Sequence, residues 1–524
     1  MMRKSLTNLT FVLLAAWALM AAYAGPAAGQ QAGQRVFVRN FEFSGVTAMK
    51  TEDLARAVAD FQGRELTLEE IKAAADSVSA AYHEQGFFLA RAALPEQDIS
   101  GGVVRIHVFE GKLGKVIING DAGYSTAFLT SYFNGVRNQG VIRKRDMERA
   151  LLLISELPGM KMQSLLQAGA EQGETDIVLT VEKGRSAAAR FSVDNFGSQF
   201  ARVRAHLGAD VMNRLGRGSM FSMSTVRSVS SNNLYYYSMS YAAPINARGL
   251  SFGMYGLAGD FGVGKEFAVL DIQGRASSMG MYFAQTLAFN EEYKTSMQLG
   301  LDARNSKQNI LGFTSSKDEI RSLRLGWQRS SQTRSGRTFL ALSLHKGLGE
   351  ALGGMSTHDP LSSRAHAGAD NDFFKLTYEY GRARKLGPKS MLVMRLSGQQ
   401  SGDSLVVGEQ MAIGGVDSVR GYPQAEYLGD SGTQASLEAR FSPSEKRASE
   451  FQVATFVDWG RVSVKVPALG QDKNSSITGA GLGFRYSPGN GYFVRTDVGF
   501  PLGKDSSDGR SAVYYLQFSK SSND

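Results

Sequence analysis

Two short stretches hold the side chains best placed for directed polar chemistry. Gly414-Gly415-Val416-Asp417-Ser418-Val419-Arg420-Gly421-Tyr422 sets a guanidinium among glycines. Phe456-Val457-Asp458-Trp459-Gly460 sets a carboxylate between aromatic residues. A guanidinium is a rigid fork of donors that a carboxylate accepts bidentately, so the pair predicts a pinned contact rather than bond-making chemistry. Glycines 414, 415 and 421, with Pro423 beside them, suit a tight turn that carries Arg420. The plainer alternative is a solvated Arg420 and an Asp458 bonded to a neighbouring lysine, an arrangement worth little energy.

Enzyme signatures are missing elsewhere in the sequence. There is no H-E-x-x-H, no G-x-S-x-G and no G-x-x-x-x-G-K-[ST]. Gly479, Gly481 and Gly483 alternate along one strand pattern, which reads as small-residue packing and not as a phosphate loop. The six histidines are His83, His107, His206, His345, His358 and His366. The last three lie near one loop, but their spacing fits no established metal site, and a solvated loop is the simpler reading. We therefore expect no catalytic residue, no metal and no cofactor. The formal net charge of +9 over 524 residues, with no clustered basic stripe, does not point to nucleic acid.

The elements that must position these residues begin with an export signal. Arg3 and Lys4 precede an uncharged apolar run from Phe11 to Ala22, and Ala22-Tyr23-Ala24 is an A-x-A cleavage site. Residues 1–24 read as a secretory signal peptide, because the run is too short for a helix to cross a hydrocarbon core of roughly 30 Å. An uncleaved anchor is the alternative. Residues 25–34 read as a short linker. No later stretch resembles a transmembrane helix, so the exported chain is either soluble or a β-barrel, whose strands hide their apolarity by alternation. The 59 glycines, 30 phenylalanines and 19 tyrosines against 11 prolines suit strands, tight turns and aromatic girdles. Absence of cysteine fits an oxidising compartment, though weakly.

The texture changes near Gly184. Before it, a β-α-α-β-β pattern occurs twice, over residues 35–111 and 112–184. The first copy predicts strands over 36–43, 87–94 and 103–109. Its helices are expected over 51–60 and 68–85, the second opened by a Thr67/Glu70 capping box. The second copy predicts strands over 113–119, 160–167 and 175–182 and helices over 125–133 and 144–156.

After Gly184 helical periodicity vanishes and period-2 alternation runs to the end. Sixteen segments between Arg190 and Lys520 alternate, an even number as bacterial barrels require. In one, Phe374, Leu376, Tyr378 and Tyr380 oppose Lys375, Thr377 and Glu379. In another, Tyr492, Val494, Thr496 and Val498 oppose Phe493, Arg495 and Asp497. One face suits lipid and the other water. Every even-numbered connection is short and several odd-numbered ones are long, as expected of periplasmic turns and surface loops. The seventh and eighth segments end at Ser306 and begin at Ile320, leaving 307–319 as a loop. The expected fold is two α+β domains followed by a 16-stranded antiparallel transmembrane barrel over 185–524. A soluble sandwich could also alternate, but sixteen long strands with a polar second face favour the barrel. Asp458 falls on the lumen-facing parity of the thirteenth segment.

With these elements in place, the chain resembles the two-partner secretion transporters, the haemolysin-activator type within the outer-membrane insertase superfamily. The resemblance rests on the V-R-G-Y tip at 419–422 in the sixth outer loop and the F-x-D-x-G pattern at 456–460. It is joined by Tyr82 to Phe87 with Gly86, Leu94-Pro95-Glu96-Gln97, Glu110-Gly111 and Leu157-Pro158-Gly159. It implies two polypeptide-transport-associated (POTRA) domains, a sixteen-strand barrel in the outer membrane, an inward loop at 402–431, and a latch. The latch residues would be Val419, Arg420, Gly421, Tyr422, Phe456, Asp458 and Gly460. The implied partner is a large secreted exoprotein, with outer-membrane lipid around a monomeric barrel. POTRA sheet edges could capture an extended segment, with grooves near Phe87, Phe88 and Leu89 as candidates, or the edge could be covered by the neighbouring copy. A general assembly factor for outer-membrane proteins is the alternative function, and a passive porin would not need the POTRA copies. Two departures stand out. About ten residues between the cleavage site and the first strand leave no room for a pore-plugging helix. Ser519 to Asp524 run past the aromatic at which the family's last strand usually ends.

Overall fold

The computed structural model describes residues 35–198, 202–229, 234–262, 269–448 and 450–522. The signal peptide expected at 1–24 and the linker at 25–34 lie outside the described residues. The chain divides into two compact units, Met1–Gly184 and Arg185–Asp524.

The first unit contains the two copies. Copy one runs β1 (Val36–Val38), β2 (Asn40–Ser44), α1 (Thr51–Ala57), β3 (Arg64–Leu66), α2 (Leu68–Glu84), β4 (Arg91–Ala93) and β5 (Val103–Phe109). Copy two runs β6 (Lys112–Asp121), α3 (Thr126–Ser131), α4 (Asn134–Asn138), α5 (Lys144–Ser155), β7 (Met160–Ala168) and β8 (Glu174–Lys183). Each copy has a three-stranded sheet whose first strand lies parallel to its last, β2 on β5 and β6 on β8, with the middle hairpin strand antiparallel. Helix α2 starts where expected. Thr67 Oγ1 accepts from the Glu70 amide at 3.2 Å, and Glu70 Oε2 accepts from the Thr67 amide at 2.7 Å, so two of the orphan donors at the helix start are satisfied. Its apolar stripe, Ile71, Ala74, Ala75, Val78 and Tyr82, is buried against the sheet.

Two strands of copy one differ from expectation. Residues 36–43 are not one strand, because the Arg39 amide donates to Gly102 O at 2.7 Å and breaks the run. The first part then pairs with β3 and the second with β5. The strand expected over 87–94 shrinks to Arg91–Ala93. The Phe87 amide donates to Tyr82 O and the Ala90 amide to Phe87 O, so this backbone is spent on a turn and not on a sheet ladder. Phe88 and Leu89 are half-buried on that turn, and Phe87 is a core residue packed edge-on against Tyr82 at 5.8 Å. None of the three lies on a sheet edge.

Glu110 ties copy one together from inside. It is 6% exposed and accepts from the amides of Thr47 at 2.6 Å and Ala48 at 2.7 Å, from Tyr82 Oη at 2.7 Å and from Thr47 Oγ1. Burial pushes its carboxyl pKa up, but the four donors outweigh burial and hold it below the ordinary value of 4.5. A depressed folded-state pKa stabilises above the unfolded value, and that stability disappears as pH falls through the folded one. Hydrogen exchange at Thr47 and Ala48, corrected for intrinsic rates, is therefore expected to stay slow at neutral pH and to accelerate only once pH falls below the ordinary glutamate value. In Glu110→Gln the protection is already reduced at neutral pH. Unchanged protection in that variant contradicts this account of Glu110.

The second unit is a closed barrel of sixteen antiparallel strands. They are β9 (Ala187–Asp194), β10 (Arg204–Met212), β11 (Met220–Ser228), β12 (Leu234–Pro244), β13 (Leu250–Gly262), β14 (Gln273–Phe289), β15 (Tyr293–Ile310), β16 (Phe313–Thr333), β17 (Gly336–Gly347), β18 (Phe374–Lys385) and β19 (Ser390–Ser401). A small hairpin follows, β20 (Met411–Ile413) with β21 (Tyr427–Gly429). The wall then resumes with β22 (Ser431–Phe441), β23 (Phe451–Ser463), β24 (Asn474–Gly489), β25 (Tyr492–Leu502) and β26 (Val513–Ser521). Met239, Met254, Met279 and Leu299 are exposed on the outer face, while Asp210, Asp302, Glu438 and Asp458 are buried on the inner one. Connections at one end are short, as at 290–292, 334–335 and 490–491; those at the other include 348–373 and 402–430.

One barrel expectation needs correction. No loop occupies 307–319. Strands β15 and β16 stay paired until they turn at Leu311 and Gly312, with Gln308 still opposite Ser316. At roughly 3.3 Å per residue, the 21 residues of β16 reach far beyond a core of about 30 Å. Both faces of that hairpin end are polar, so alternation fades where the ladder continues. The residues that run on past Phe518 continue the last strand. Ser519 to Ser521 pair with Ser192 to Arg190 and close the barrel.

Candidate functional site: an ion network at the sixth loop

The connection between β19 and β22 folds back into the barrel. A three-residue ladder, β20 with β21, forms its stem, and 414–426 form its tip. Gly421 has φ of 104° with the Phe500 backbone packed against it, so a side chain there would be both strained and in collision. Val419 and Tyr422 are fully buried with Ile413, Val462 and Ile477. Tyr422 Oη donates to Lys504 O at 2.6 Å, and Tyr515 Oη accepts from the Gly421 amide at 3.2 Å.

This apolar seat presents Arg420, which is 1% exposed, to the wall. Its Nε donates to Asp458 Oδ2 at 2.7 Å and its Nη2 to Asp458 Oδ1 at 2.9 Å, a bidentate fork, while its own amide reaches Asp458 Oδ2 at 3.2 Å. Nη1 donates to Glu438 Oε2 at 2.7 Å and stands 3.6 Å from Asp497 Oδ2. The guanidinium carbon lies 3.3 Å from the centre of the Phe456 ring. Around this core, Arg440 and Arg485 bind Glu438, and Arg485 and Arg495 bind Asp497 at 2.5 and 2.8 Å. Four guanidiniums thus share three carboxylates. A lone buried guanidinium would cost several kcal/mol of lost hydration, and only a near-complete set of partners offsets that.

Absent side chains matter as much. A methyl group at Gly460 would meet Ile413 and Val419 at 3.0 Å, and one at Gly479 would collide with the Arg420 carbonyl oxygen. Gly481 and Gly483 similarly face Phe456 and the Arg485–Asp497 pair. Gly479 of β24 is therefore the floor on which the tip rests, while Gly481 and Gly483 leave room for the wall's own side chains.

The base of the loop is held by charges of the opposite sense. Glu409, 3% exposed, binds Arg304 Nη1 of β15 at 2.7 Å and Lys375 Nζ of β18 at 2.7 Å. Asp430 accepts from Arg364 Nη1 at 2.5 Å and from the amides of Leu405 and Lys465 at 3.0 and 2.8 Å.

The seven residues singled out from the sequence around the loop tip and β23 come together here. Glu438, Asp497, Arg440, Arg485 and Arg495 were missed as members, although strand parity places Arg495 and Asp497 on the lumen face with Asp458. Phe87 lies elsewhere. It lines a cleft of about 540 Å³ in the first unit with Lys50, Glu52, Asp53, Arg56, Gln85 and Arg143, and the Arg143 guanidinium sits 5.0 Å from its ring.

Paired β-α-α-β-β copies ahead of a sixteen-strand barrel with an inward sixth loop define the POTRA-bearing outer-membrane transporter class. The chain belongs to the haemolysin secretion/activation protein family (ShlB/FhaC/HecB), whose sequence model matches residues 173–486, and the ShlB-type POTRA domain matches residues 36–111. It is similar to the heme/hemopexin transporter protein HuxB of Haemophilus influenzae, 23% identical over 90% of this chain and 84% of that protein. It is also similar to the outer membrane transporter CdiB of Dickeya dadantii, 24% identical over 75% of this chain and 70% of that one. CdiB from Escherichia coli has the same fold, with a TM-score of 0.78 at 19% identity, covering 99% of this chain and 97% of that one. This is an outer-membrane transporter of the two-partner secretion type, with its POTRA domains in the periplasm.

Proposed function

We propose that this chain exports one large exoprotein through the barrel lumen, and that the sixth loop is the gate. POTRA domains at 35–111 and 112–184 receive the exoprotein in extended form. The Phe87 cleft and the free edge of β7 are the places where a strand or an apolar side chain can be taken up. The exoprotein then passes the barrel, which works as a monomer surrounded by outer-membrane lipid. Val419, Arg420, Gly421 and Tyr422 on the loop, with Phe456, Asp458 and Gly460 on the wall, form the latch. The observation that carries this reading is a nearly fully buried Arg420 held by wall carboxylates from inside the lumen.

No G-x-x-x-x-G-K-[ST] stands in the sequence, and in this reading folding of the exoprotein outside drives export by preventing return. Export from proteoliposomes without nucleotide is the expected result, and an absolute requirement for ATP contradicts it. The same chain deleted from its host is expected to remove one surface protein from the outer-membrane and secreted fractions. Loss of many barrels instead would make it an assembly factor.

A further inference from the structure

The sixth loop occupies one side of the lumen. Its bonds run to β15, β18, β19, β22, β23, β25 and β26, where nearly every strand carries an inward charge. The opposite arc, β11 to β14, is different. Its outer parity is fixed by the exposed Met223, Met239, Met254 and Met279, so the inner positions are the alternate ones. These include Ser222, Ser224, Ser238, Ser240 and Ser278, and Tyr255, which donates to Asp302 of β15 at 2.8 Å; among the described residues of the four strands no inner position is Asp, Glu, Lys, Arg or His. Ser224 Oγ lies 2.7 Å from Ser238 Oγ across the ladder. Charge returns on either flank. Asp194 and Asp210 sit on β9 and β10, and Asp302 on β15, each salt-bridged to an arginine.

We propose that this uncharged, hydroxyl-bearing arc is the track over which the exported polypeptide slides. The inference rests on the export reading above and names the wall that serves it. A chain of arbitrary sequence carries both charges past every point. A wall with fixed charges would hold some segments and repel others, whereas passage requires contacts weak enough to leave. Small hydroxyls hydrogen-bond to any backbone without selecting side chains. The loop makes none of the bonds above to this arc, so release of the loop leaves the arc itself as it is.

The protein has no cysteine, so single-cysteine variants report one position each. The probe is a 30-residue Gly/Ser/Asn peptide bearing one thiopyridyl-activated cysteine, added from the POTRA side to the full-length protein in liposomes. Ser224→Cys, Ser240→Cys and Ser278→Cys are expected to form the mixed disulfide about tenfold or more over Ser343→Cys and Ser397→Cys on other strands, a ratio equivalent to about 1.4 kcal/mol. Equal or reversed yields overturn the track while leaving passage through the lumen intact. No adduct at any of the five positions overturns lumen passage as well. In cells, Ser240→Arg with Ser278→Arg is expected to cut surface exoprotein severely while the barrel keeps its heat-modifiable gel mobility. Full export from that folded variant overturns the track.

Discussion

Arg420→Ala raises the resting conductance of the barrel in planar bilayers. The substitution leaves the tip of the loop without a cation and leaves Asp458, Glu438 and Asp497 short of one partner within a buried cluster. Removing one member of such a network costs about 3–5 kcal/mol, because the remaining charges stay desolvated. That energy distinguishes the docked loop from the released one, so the released population rises by roughly two to three and a half powers of ten. Arg420→Lys recovers little, since an ammonium can satisfy one carboxylate but cannot form the fork on Asp458 while also reaching Glu438. Asp458→Asn is milder, as Glu438 still neutralises the guanidinium. The check is single-channel recording of the three variants. The expected order of open probability is alanine, then lysine, then Asp458→Asn, then the parent.

The second large effect comes from a residue without a charge. Gly479→Val places carbon where the Arg420 carbonyl oxygen now lies, with Val419 close behind. The tip cannot sit down, although every member of the ion network is still present. Overpacking of a close-fitting contact of this kind typically costs about 1–3 kcal/mol, less than loss of Arg420 from the network. Conductance should rise, in the same direction as in Arg420→Ala but by less. The double variant should be no more open than the more open single one, because both remove the same docked state. An additive increase would mean that Gly479 supports the wall and not the loop.

Much of the barrel was legible because lipid on one side and water on the other impose a two-residue period on each strand. Sixteen strands and their facing follow from residues such as Phe374/Lys375 and Val494/Arg495. The period fails where both faces see water, and there the β15–β16 ladder ran unseen past Ser306 to Leu311. In the first POTRA copy the miss has a different cause. Arg39 and Phe87 lie in strand-like runs, yet the Arg39 amide bonds to Gly102, a distant partner that no local pattern announces, and the Phe87 amide bonds back to Tyr82 in the glycine turn that ends α2. At the candidate site, the Arg420–Asp458 pairing was legible from the V-R-G-Y and F-x-D-x-G patterns shared with the two-partner secretion transporters, together with strand parity. Glu438 was not, because a single Glu between Leu437 and Ala439 gives no sign of sitting opposite a re-entrant loop. Glu409 and Asp430, which hold the loop base, are likewise ordinary acidic residues until the fold brings Lys375, Arg304 and Arg364 to them.

The most direct measurement tethers the loop tip to the wall. Ser418 Oγ donates to Gln434 Oε1 across the loop–wall contact. Ser418→Cys with Gln434→Cys, in a chain that has no other cysteine, gives an oxidisable pair at that point. Surface delivery of the exoprotein is followed with the pair oxidised and again after reduction. Export that stops on oxidation and resumes on reduction is the expected result. Undiminished export with the crosslink intact in the barrel would contradict a loop that must leave its seat.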